Sequence, residues 1–120
     1  ARATLESGIA LNQEDASLWF SLALLEVREG NGEAALIALE KAASLEETPS
    51  YYHYVYAAAQ HDQGRPADAM ATLKAANRAA PGQPNVIAAL MQYSQLAGDM
   101  RAAQRYQAEL RSTLQAAGVQ

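Results

Sequence analysis

The chain has 120 residues, of which 50% are apolar and 18% charged, with no cysteine and a net charge of −4. This length suits one domain, and the lack of cysteine excludes disulfide frameworks, thiolate metal sites and cysteine nucleophiles within these residues. Nucleic-acid binding is not expected, because it normally requires a basic face that neutralises phosphates. Membrane insertion is not expected either, because no apolar run approaches the roughly 18 residues that a span requires.

The charge is distributed unevenly along the chain. Residues 1–60 carry 9 acidic and 3 basic residues, net −6, and residues 61–120 carry 4 acidic and 6 basic residues, net +2. Ordinary variation among solvated faces is one explanation. The other is an electrostatic dipole that orients a partner or a neighbouring copy of the chain.

Glycines mark a period of 34 residues, because Gly30, Gly64 and Gly98 are separated by that spacing. Other residues recur at the same spacing: Ala35, Ala69 and Ala103; Leu39 and Leu73; Ala42 and Ala76; Trp19, His53 and Ile87; Leu22, Tyr56 and Leu90; Ala23, Ala57 and Met91. Within one period, the positions that precede the glycine fall on one side of a helix. The 28 alanines favour helices over strands. Each period therefore predicts two helices joined by a turn at the glycine.

This 34-residue pattern resembles the tetratricopeptide repeat, which reads W-x2-L-G-x2-Y, then A-x3-F, then a late proline. The segments "WFSLA" and "ALIAL" match it in the first full repeat, and "HYVYA" and "AMATL" match it in the second. The third repeat is looser, with Gln107 where a large apolar residue is expected, and the tyrosine position holds Glu26, Gln60 and Ser94. The resemblance implies an all-α, right-handed α-solenoid of antiparallel helix pairs.

In chain order, about seven helices are expected. Residues 1–15 are predicted to be the second helix of a preceding repeat with its loop, 16–49 the first full repeat, 50–83 the second, and 84–120 the third with an extended terminal helix. Asp15 and Asp99 are predicted to cap helices, and Thr48-Pro49 and Gln83-Pro84 suit helix starts. Because the chain opens in the middle of a repeat, it is expected to be a segment of a longer protein.

The segment "YYHYVYAAAQHDQG" at residues 51–64 contains four of the six tyrosines and both histidines. Tyr52, His53 and Tyr56 are predicted to pack within and between repeats. Tyr51, Tyr54 and His61 share another face, which the resemblance places in the concave groove. The candidate groove residues are Phe20, Leu24, Arg28, Tyr51, Tyr54, His61 and Asn85, with Arg28 and Asn85 fixing the orientation of a bound peptide. For each tyrosine, packing and binding both stay open.

Catalytic, cofactor and metal sites are not predicted. His53 and His61 are eight residues apart, or about 12 Å along a helix, so they cannot hold one metal ion together. Neighbouring His61 and Asp62 point in different directions from a helix, and no phosphate-binding glycine loop is present.

The predicted function is a scaffold that binds an apolar or aromatic peptide segment of a partner protein in the concave groove. One alternative is self-association through an apolar edge near Leu5 and Ile9. Another is an accessory arm of a bacterial enzyme or electron-transfer protein, because residues 51–73 resemble the repeat tails of some bacterial multihaem cytochromes. A bacterial, periplasmic location is favoured over a cytoplasmic one.

Overall fold

The computed structural model describes residues 2–45 and 49–118, which form seven helices and no strand. The helices are α1 (Arg2–Leu11), α2 (Ala16–Arg28), α3 (Gly32–Ser44), α4 (Ser50–Asp62), α5 (Pro66–Ala79), α6 (Pro84–Leu96) and α7 (Met100–Ala116). Neighbouring helices pack in series, most extensively within the pairs α2–α3, α4–α5 and α6–α7. This arrangement confirms the predicted all-α solenoid. None of these described helices is long and apolar enough to cross a membrane.

The same turn joins the two helices of each pair. Gly30, Gly64 and Gly98 have φ values of +81°, +77° and +80°, a conformation that strains any residue with a Cβ atom. The residue after each glycine donates its backbone N–H to a carbonyl five residues earlier: Asn31 to Glu26 at 2.8 Å, Arg65 to Gln60 at 2.9 Å, and Asp99 to Ser94 at 2.9 Å. The 34-residue period of the sequence is therefore repeated in the backbone hydrogen bonding.

The predicted helix starts agree with the structure to within one residue. The Asp15 carboxylate accepts a hydrogen bond from the Ser17 N–H, and the Asp99 carboxylate accepts one from the Ala102 N–H, so both predicted caps are confirmed. Helix α6 begins at Pro84, as predicted. Helix α4 begins one residue after Pro49, and Thr48 lies outside the described residues.

Small residues at repeated positions let the helices approach one another closely. Ala23, Ala35, Ala42, Ala57 and Ala69 are at most 1% exposed. The largest fully buried side chains concentrate toward the second half of the chain; they are Leu39, Leu73, Val86, Ile87, Leu90 and Ser94.

Buried polar side chains occupy the position that holds tyrosine in the tetratricopeptide pattern. Glu26, Gln60 and Ser94 are 7%, 7% and 1% exposed. The Glu26 carboxylate contacts the Arg2 guanidinium, which also contacts Glu29 and so ties α1 to α2. Removing one member of a buried ion pair is costly, because the remaining charge is left without compensation. Arg2 therefore compensates a carboxylate that α2 buries.

Candidate functional site

The predicted groove residues of α2 lie along one side of that helix. Phe20 is half-buried, Leu24 is 44% exposed and Arg28 is exposed. The Phe20 ring stacks on the Tyr52 ring with centroids 4.4 Å apart, and its centroid is 5.9 Å from that of Tyr51. Phe20 therefore packs against α4 while Leu24 and Arg28 remain open to solvent. Phe20 thus covers the Tyr52 ring, which the sequence predicts to pack within and between repeats.

A cavity of about 240 Å³ between α4 and α6 brings together three of the predicted groove residues, Tyr51, Tyr54 and Asn85. We call it the Tyr51 cavity. Its other lining residues are Ala88, Ala89 and Gln92. The Tyr51 and Tyr54 ring centroids are 6.3 Å apart, and Tyr51 is 53% exposed. None of the lining residues carries a charge, so the cavity offers aromatic surface and amide groups.

Asn85 is held in place by local hydrogen bonds. Its side-chain oxygen accepts from the Val86 N–H at 2.8 Å and from the Ser50 hydroxyl at 3.4 Å. The Ser50 hydroxyl also lies 3.2 Å from the Gln83 amide oxygen, so this end of α4 is joined to the start of α6. Because only its oxygen is used in these bonds, the Asn85 amide nitrogen remains a donor at the cavity.

His61 does not line the Tyr51 cavity. Its ring stacks on Tyr93 of α6, with centroids 4.4 Å apart and planes 13° apart. Burial raises the pKa of Tyr93, and nearby Tyr54 and Asp62 raise it further. His61 is thus packed at the opposite end of α4 from Tyr51, although the spacing of residues 51–61 puts both on one helix face.

The predicted apolar edge near Leu5 and Ile9 requires a correction. Ile9 is only 8% exposed, and Leu5 is half-buried. The large apolar side chain that α1 exposes is Leu11, at 90%. Ile9 is the core residue of α1 and cannot form part of an exposed edge.

A second groove, which sequence reasoning missed, lies between α3 and α5 with α4 as its floor. It consists of two adjoining cavities of about 390 Å³ and 370 Å³ that share Glu40, Tyr56 and Thr72. The Tyr56 hydroxyl donates to Glu40 at 3.2 Å. Burial, followed by the charge of Glu40, raises the pKa of Tyr56 to about 12. His53 lies in the second cavity, where burial lowers its pKa.

The sequence contained two signals for this groove. Glu33 and Glu40 are seven residues apart and so share a face of α3, and Gln60 replaces the tyrosine of the repeat pattern. Neither signal locates the groove, because the sequence pattern alone does not show which helices leave a gap between them.

Comparison of the sequence with models of known protein families gives no match, and comparison with curated proteins gives no significant match.

Proposed function

We propose that this chain is a tetratricopeptide-repeat segment that binds an apolar or aromatic peptide segment of a partner protein across α2, α4 and α6. The observation that carries the proposal is the Tyr51 cavity, where a tyrosine that is 53% exposed borders about 240 Å³ of uncharged space. Tyrosine and the other aromatic residues supply large contact areas, and tyrosine is enriched among residues that dominate binding energy.

Apolar surface continues from this cavity onto α2. Leu24 and Val27 are 44% and 56% exposed, and they share a helix face with Phe20, whose ring contacts Tyr51. Single exposed apolar residues are ordinary, but a contiguous group beside a cavity is typical of an interaction site. A bound peptide would place one apolar side chain in the Tyr51 cavity and others against Leu24 and Val27.

Polar groups at the margins would orient the peptide backbone. The Asn85 amide nitrogen and the Gln92 amide provide hydrogen-bonding groups at the cavity, and Arg28 provides a positive charge at the end of α2. Because the cavity lining is uncharged, the affinity should change little with ionic strength.

The experiment is selection of peptides from a library of random short sequences displayed on phage, followed by calorimetry with the selected peptides. We expect the selected peptides to be rich in aromatic and aliphatic residues, and Tyr51→Ala to weaken their binding about tenfold or more. Because Tyr51 is exposed, this change should leave the melting temperature nearly unchanged. The matched control is Ile37→Ala, which removes an apolar side chain that is 70% exposed on α3.

Two results would overturn the proposal. One is selection of peptides without apolar anchors. The other is equal loss of affinity in the Tyr51 and Ile37 variants, which would show that the binding surface is not the one formed by α2, α4 and α6.

A further inference from the structure

The groove between α3 and α5 has a polar half with an unbalanced charge. The 390 Å³ cavity is lined by three carboxylates, Glu33, Glu40 and Asp68, and one guanidinium, Arg65, so its charged groups sum to −2. Arg65 is already engaged, because its Nη2 lies 2.9 Å and 3.0 Å from the two Glu33 carboxylate oxygens. Among the described residues, neither Glu40 nor Asp68 has an ion-pair partner.

The floor of this cavity contains the Gln60 side chain, in which the amide oxygen is hydrogen-bonded to a described residue and the amide nitrogen is not. Gln60 is 7% exposed, and its oxygen accepts a hydrogen bond from the Thr72 hydroxyl at 2.7 Å. No described residue accepts a hydrogen bond from its amide nitrogen, and this nitrogen is not one of the enclosed polar atoms without a partner, so it is a donor that reaches the open space of the cavity. A complementary ligand therefore needs a hydrogen-bond acceptor as well as a positive charge.

The walls of the cavity supply apolar surface beside these polar groups. Leu36 and Ile37 line it from α3, and Ala71 lines it from α5. Ile37 is 70% exposed. Long basic side chains bury their alkyl stems on such surface and keep the charged head near polar groups. The ring of Tyr56 offers an aromatic face to a cation in the same space.

We propose that this cavity binds an arginine side chain of a protein segment, with the guanidinium between Glu40 and Asp68, the alkyl stem along Ile37 and Ala71, and a backbone carbonyl on the Gln60 amide. Arg65 shows that the cavity accommodates a guanidinium on a carboxylate. Arginine suits the site better than lysine, because its planar group presents several donors at fixed angles and stacks on aromatic rings.

The test uses the intact chain and two small probes, Nα-acetyl-arginine N-methylamide and its uncharged isostere Nα-acetyl-citrulline N-methylamide. Both probes carry the same backbone amides and have nearly the same shape; in citrulline a carbonyl oxygen replaces one guanidinium nitrogen, which removes the positive charge and the two donor hydrogens of that nitrogen. Titration followed by amide chemical shifts of the labelled protein should show saturable changes at Ile37 and Ala71 with the arginine probe. The citrulline probe should bind at least about tenfold more weakly, and added salt should weaken the arginine probe.

Variants separate this site from the peptide-binding face. Glu40→Gln combined with Asp68→Asn should abolish saturable binding of the arginine probe, and both side chains are exposed enough for the fold to tolerate the change. Glu14→Gln, which removes one exposed carboxylate between α1 and α2, should leave it unchanged. Tyr51→Ala should also leave it unchanged, so that failure of the peptide-binding proposal would not affect this one.

The proposal is overturned if the two probes bind equally, if the shift changes map to residues outside the cavity, or if no saturable change occurs. It is also overturned if the Glu40 and Asp68 double variant keeps the affinity of the parent chain while its spectrum shows the native fold.

Discussion

The junction between α2 and α4 differs from the junction between α4 and α6 in how closely the two helices approach each other. At the first, the Phe20 ring stacks on Tyr52 and contacts Tyr51. At the second, buried Ala57 and Ala89 belong to one core cluster. The backbones of α4 and α6 approach more closely than those of α2 and α4. Alanines at the centre of the second junction let the two backbones approach, although the His61 and Tyr93 rings also stack across it.

The difference shows how one repeat can build both a closed junction and an open one. Val86, Ile87 and Leu90 are 0% exposed in α6, but the equivalent Leu18, Trp19 and Leu22 of α2 are only half-buried. The aromatic rings at the first junction keep part of their surface in water, and a partner can bury that surface. Binding surface therefore extends from the Tyr51 cavity between α4 and α6 onto the incompletely packed side chains of α2.

The largest expected effect is on stability at the closed junction. Leu90→Ala should lower the free energy of unfolding by about 2–5 kcal/mol, because it removes a fully buried side chain and leaves a cavity. The matched change is Leu22→Ala, 68 residues earlier at the same repeat position, where the side chain is half-buried. Its loss should be clearly smaller, as measured by urea unfolding. Equal losses would mean that the two junctions are packed alike and that the comparison is wrong.

The stability cost of a substitution in a turn should not differ between the repeats, because the turn geometry is the same in each of them. Gly30→Val and Gly64→Val should each cost about 1–3 kcal/mol. At both glycines an added Cβ would have no atom within 4 Å, so the cost comes from the positive φ and not from crowding.

Gly64→Asn is the control for this prediction, since asparagine adopts positive φ more readily than valine. It should lose much less stability than Gly64→Val, as measured by thermal unfolding. If both substitutions cost the same, backbone strain is not the cause.

The fold was largely predictable because it depends on local spacing. Each of the signals determines backbone structure within one or two helical turns of its own position. These signals are three glycines at a 34-residue interval, alanines at repeated positions and aspartates at helix starts. The positive φ of Gly64 and the cap at Asp99 follow from those positions alone.

The candidate sites were harder to predict, because they depend on which helices leave space between them. Tyr51 and His61 share a helix face, yet Tyr51 borders a cavity and His61 stacks on Tyr93. Tyr56 was assigned to packing, although it also borders the groove between α3 and α5. The sequence pattern predicts in which direction a side chain points from its helix. The size of the neighbouring side chains decides whether the space in that direction is occupied or open.

The smallest expected effect concerns His53, which occupies the repeat position of half-buried Trp19 and fully buried Ile87. Burial lowers the pKa of His53 in the folded chain below its ordinary value of 6.5. The unfolded chain therefore binds a proton first as the pH falls, and protonation favours unfolding. The contribution of neutral His53 is fully present above about pH 6.5 and is lost as the pH falls through that value toward the folded pKa.

His53→Ile places the residue of the third repeat at this position and removes the titration. Between about pH 7.5 and about pH 5, the melting temperature of the parent chain should therefore fall by more than that of the variant. The carboxylates titrate in both proteins, so the difference between the two curves isolates His53. Parallel curves would mean that His53 is solvated in the folded chain. In that case the side of α4 that faces α3 and α5 would be as exposed to solvent as the side that carries Tyr51. The two sides of α4 would then not differ in packing.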